Sequence, residues 1–145
     1  DPSETLDTTS PMPELTDDWR EDLYQMAMWV RNSANRFPQI THLRRSLRVW
    51  TPTMMGVTER WLEIWMKSGL SEDDCVQASI MSSLAINGLV NEELMLKNGR
   101  LPDDEVLEKV PAAKRVFKSK PDLQDMFQQT VRTIIDGLYN RLSAN

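Results

Sequence analysis

His42 and Cys75 are the single histidine and the single cysteine of this 145-residue chain. A structural zinc site needs four ligands drawn mostly from those two residue types, so none can be assembled. Cys75 beside His42 would make a thiol–imidazole pair for nucleophilic catalysis. Yet Cys75 falls in the first turn of a strongly apolar helix, which marks it as a small core residue. His42, between Pro38 and Leu43, reads as a partly buried, hydrogen-bonded side chain. Paired carboxylates occur at Asp17-Asp18, Asp73-Asp74, Glu92-Glu93 and Asp103-Asp104. Each pair is expected at a helix end or in a loop, where the helix dipole or water accounts for it. The Glu-x-x-His motif of a carboxylate-bridged metal bundle is missing, and so are the glycine loops that hold phosphates or dinucleotides. These residues argue against an enzyme and against any metal or cofactor. A small helical enzyme using His42 remains a rival reading.

Binding is the chemistry left. The composition is globular, with 40% hydrophobic and 27% charged residues, and it is rich in Trp (five) and Met (nine). Flat rings and flexible thioethers pack imperfectly and adapt to guests, so a cavity is a natural expectation beside a simple filled core. The net charge of -5 makes the chain as a whole a poor partner for nucleic acid. Its nearest approach to a basic patch is Arg44, Arg45 and Arg48, read as a solvated face. One cysteine permits no internal disulfide. Neither a membrane-length apolar run nor a signal peptide appears, so a soluble, cytoplasmic protein is expected. The chain begins with Asp1 rather than Met, which suggests a fragment or a processed protein.

Apolar spacing positions these residues on helices. Residues 1–16 carry Pro2, Pro11 and Pro13 and read as an extended leader or linker, followed by one domain over 17–145. Trp19, Leu23, Met26, Ala27, Val30, Ala34 and Phe37 recur at steps of three and four, predicting a helix over about 17–37 that Pro38 ends. A short helix follows over 40–49. Thr51-Pro52 opens another over 51–68, closed by Gly69. Ser71 caps the next, over 71–98, with Asn98-Gly99 as its stop. From Cys75 to Asn91 this helix has seventeen positions without a charge. Its apolar residues go right round the helix, so it is expected to be covered on all sides. One small domain cannot do that alone, and a second subunit is the natural cover. Pro102, Pro111 and Pro121 restrict 99–120 to short helices near 103–109 and 112–117. The last helix is predicted over 121–142, with Pro121 in its first turn. No strand pattern appears, and the fold class is all-α, a helical bundle.

The run Thr51-Pro-Thr-Met-Met, then Trp61-Leu-Glu-Ile-Trp-Met-Lys-Ser-Gly-Leu-Ser71-Glu-Asp-Asp, then Ser83-Leu-Ala-Ile-Asn-Gly88, resembles the tetracycline-repressor (TetR) family. The likeness covers residues 17–143 and implies the C-terminal, effector-binding and dimerising domain of a transcriptional repressor. On that resemblance the helices at 71–98 and 121–142 would build a four-helix dimer interface through Ile80, Ser83, Asn87, Leu123, Phe127, Ile134 and Leu138. An apolar or amphipathic effector would lie over Met26, Val30, Met54, Trp61, Trp65, Met81 and Leu84, with Thr58 or Asn87 as polar contacts. The helix-turn-helix that reads DNA in this family has no counterpart here, so DNA would be reached only through a part ahead of Asp1. The implied partners are a second copy and a small effector, with allosteric control of DNA binding. The alternative is an all-α protein–protein interaction module without a small ligand.

Overall fold

Four side-chain oxygens decide where the long helices begin. Asp18 accepts the Glu21 amide at 3.1 Å and opens α1 (Trp19–Arg36). Thr51 accepts the Met54 amide at 3.2 Å and opens α3 (Pro52–Met66), with Pro52 at the first position, where its missing N–H costs nothing. Ser71 accepts the Asp74 amide at 3.2 Å and opens α4 (Glu72–Asn98). Asp122 accepts the Asp125 amide at 3.1 Å and opens α7 (Leu123–Ser143). The last cap corrects one expectation: Pro121 lies just before the capping residue rather than inside the first turn. Between these helices come α2 (Pro38–Leu47), α5 (Asp104–Glu108) and α6 (Pro111–Lys118).

The structure is a computed structural model. It describes residues 10–47 and 50–144, without the side chains of Arg44, Arg45, Leu47 and Asn98. The expected arginine face of Arg44, Arg45 and Arg48 lies outside the described residues. Among the described residues there are seven helices and no strand.

Two glycines close helices by different physics. Gly69, between α3 and α4, has φ +88°, a backbone conformation that a Cβ disfavours. Gly99, after α4, has φ -81°, and its requirement is space: a Cβ there would sit 2.9 Å from the Met95 carbonyl oxygen.

The core lies where α1 packs against α3, α4 and α7, while α4 packs against α3 and α7. Leu23, Met26, Ile64, Trp65, Cys75, Val131 and Ile135 are excluded from water there. Cys75 is core, as expected, its thiol donating to the Trp65 carbonyl at 3.2 Å. The α5 and α6 helices pack chiefly on each other, tied by Lys118–Asp104 at 3.0 Å and by Lys114–Glu108. The hydrogen bond and charge of Lys118 hold the Asp104 carboxyl below its ordinary value of 3.8.

Two expectations about polar residues fail. Glu93 belongs neither to a helix end nor to solvent: it is 6% exposed and pairs with Arg31, 7% exposed, across α1 and α4. The Arg31 Nε donates to both carboxylate oxygens, at 2.9 and 3.1 Å, and the guanidinium lies 5.6 Å from the Phe127 ring centre. His42, expected to be partly buried, is exposed on α2.

Candidate functional site

The aromatic residues expected to line a pocket are held in place by one hydroxyl. The indole N–H groups of Trp61 and Trp65 both donate to Ser82 Oγ, at 2.9 and 3.2 Å. Ser82 Oγ in turn donates to the Ala78 carbonyl at 2.6 Å. A hydroxyl has one proton and two lone pairs, so all three of its capacities are used inside the core. Trp65 packs at a tilt of 39° against Trp19 with ring centres 5.5 Å apart, and Trp19 lies 5.2 Å from Tyr139. Met26 is fully buried beside them in the core.

The other expected ligand contacts are dispersed. Val30 and Met54 are half-buried, and Thr58 is exposed, its hydroxyl donating back to the Met54 carbonyl. Met81 and Leu84 are exposed on α4. Leu84 follows Ser82 by two residues, about 200° around the helix, so it faces away from Trp61 and Trp65. The eight residues are thus divided between the core and two outer faces.

An open groove of about 590 Å³ lies instead between the start of α2 and the C-terminal half of α4. Pro38, Leu94 and Met95 give it apolar walls, while Gln39, Thr41, His42 and Asn91 supply hydrogen-bonding groups. This combination suits a ligand with an apolar body and a polar end. Leu94 follows Glu93 directly, so the groove wall adjoins the buried Arg31–Glu93 pair. Lys97, one turn on, bonds Asn35 at 3.0 Å and ties α4 to the end of α1. Sequence reasoning missed both Arg31 and the groove. The signal for Arg31 was available, since it follows Ala27 by one helical turn on the apolar stripe.

The charge-free helix is half covered. Cys75, Ala78, Ser79, Ser82, Ile86 and Val90 face the core, whereas Val76, Ile80, Met81 and Leu84 are exposed. Leu84 is 71% exposed and Ile80 56%. The residues expected at a dimer interface divide accordingly. Ile80 and Asn87 are exposed, Ser83, Leu123, Ile134 and Leu138 are half-buried, and Phe127 lies in the chain's own core against Arg31. Met126, on α7, is exposed as well, and α7 packs beside α4.

An exposed apolar surface thus runs along α4, and an open groove lies beside its C-terminal half. Among the described residues no three His, Cys, Asp or Glu side chains gather to hold a metal, and no helix is long and apolar enough to cross a membrane. Neither a curated protein nor a solved structure matches the chain. One family does, over residues 12–142: the tetracyclin repressor-like C-terminal domain. That span takes in every helix from α1 to nearly the end of α7. The all-α bundle, its order of elements and this match agree, and the chain belongs to the TetR-type C-terminal domains, a family of regulatory domains that bind ligands and dimerise.

Proposed function

We propose that this domain pairs with a second copy through α4 and α7 and senses a small apolar or amphipathic effector in the α2–α4 groove, controlling a DNA-reading module of a repressor. The uncovered half of α4 carries this reading. Exposed Ile80, Met81 and Leu84 form an apolar face, and Ser83, Ala85 and Gly88 are small enough for another helix to come close. Contiguous apolar surface of this kind marks an interaction site. Ile134 and Leu138 on α7 would widen it to a four-helix contact.

Light scattering tests the pairing. The wild-type chain should have about twice its 16.8 kDa mass, and Leu84→Asp should return it to the monomer with its helical circular dichroism intact. A wild-type chain that stays monomeric at high concentration would remove this interface.

The groove is where an effector would act, because α2 joins α1 to α3 and borders α4. A ligand there shifts the domain only by its differential affinity for two arrangements, commonly about 1–3 kcal/mol of coupling. The amphipathic probe anilinonaphthalene sulfonate should bind the wild type and bind His42→Trp about tenfold more weakly, since the added indole fills the groove. Equal binding by a His42→Trp variant with unchanged thermal stability would place the ligand elsewhere.

A further inference from the structure

The segment leading into α1 is clasped by two different helices. Residues Ser10–Thr16 form no helix or strand, yet Met12 and Leu15 pack against the core. Trp29, on α1, donates its indole N–H to the Ser10 carbonyl at 3.1 Å. Arg60, on α3, donates from Nη1 to the Pro13 carbonyl at 2.8 Å. At the far end the Thr16 amide donates to both oxygens of the Asp22 carboxylate, at 2.9 and 3.1 Å, and its hydroxyl donates at 2.8 Å. Asp22 is 3% exposed, so this end is firmly seated. Pro11 and Pro13 restrict φ and lack N–H groups, which leaves a stiff segment that offers mainly carbonyls.

We infer that Ser10–Thr16 is a latch that closes only when α1 and α3 keep their present spacing. The α1 helix holds both ends, through Trp29 and Asp22, and α3 holds the middle through Arg60, and the segment is too stiff to absorb a relative shift. A displacement of α3 that withdraws Arg60 frees the Pro13 carbonyl, and the loosening runs on toward Thr16. The direction in which the chain enters the domain at Ser10 thus reports the position of α3. The latch depends on these contacts alone and stands whether or not the groove takes a ligand.

Amide hydrogen exchange on the full chain tests it. Arg60→Met keeps the aliphatic stem and removes the donor. It should speed exchange of the Thr16 amide about tenfold, with the central amides of α1 and α4 unchanged. Arg60→Lys, which restores a donor, should recover much of the protection. Trp29→Phe should have the same effect from the α1 side. Unchanged Thr16 exchange in both Arg60→Met and Trp29→Phe overturns the latch. So does an equal rise throughout α1, which would mean general destabilisation.

Discussion

Ser82→Ala is expected to lower the stability of the domain by about 2–5 kcal/mol, although it removes a single oxygen. Two indole N–H groups, from Trp61 and Trp65, end on that oxygen. Both rings lie in the core, with Trp65 fully excluded from water and Trp61 6% exposed. A buried donor left without an acceptor costs about 1–3 kcal/mol, and here two are orphaned at once. Replacing an exposed hydroxyl sets the scale for comparison. Thr58→Ala loses only a bond back to its own helix and should stay within about 0.5 kcal/mol of wild type. Urea unfolding of the two variants measures the contrast. Ser82→Ala behaving like Thr58→Ala would show that the indoles find other acceptors, and the clamp between α3 and α4 would lose its meaning.

Glu93→Ala should cost about 3–5 kcal/mol, because it strands the Arg31 guanidinium in the interior without its counter-charge. The Phe127 ring and a Lys97 ammonium 3.9 Å from the carboxylate offer nothing that replaces the lost acceptor. The double variant Arg31→Met, Glu93→Leu tests the reason rather than the size. If desolvated charge is the cause, removing both partners should restore most of the loss, to within about 1–2 kcal/mol of wild type. A double variant as unstable as Glu93→Ala would mean that the geometry of the pair, and not the charge, holds α1 to α4. The effect should also be nearly independent of salt, since screening by mobile ions scarcely reaches a pair this buried.

Helix boundaries were legible because they are written in single residues. Thr51-Pro52, Ser71 and Gly69 each mark a terminus through a local hydrogen bond or a backbone angle, and each acts where the sequence places it. The core stripe of α1 was legible for the same reason, since period alone selects Leu23, Met26 and Ala27. The inner side of α4 was not. Its apolar residues go all the way round, so hydrophobicity could not say which half meets the chain's own core. The choice is made by Ser82, the acceptor that Trp61 and Trp65 require, and that pairing lies between residues about twenty apart in sequence. Glu93 was misplaced because a carboxylate looks like surface until its partner is known. The candidate site suffered most, because a groove is a property of how two helices diverge and not of either one.

The α5–α6 pair differs in kind from the rest. Helix α1 touches α3, α4 and α7, so no one of those four can leave without exposing the others. They should melt together in a single cooperative step. The α5–α6 pair keeps most of its contacts to itself, with Leu107 its buried anchor and no buried residue on α6. It forms a separate unit of local stability, able to open while the bundle stays folded. Chain length between α4 and α7 is therefore free to vary: residues can be added or removed there without disturbing the core.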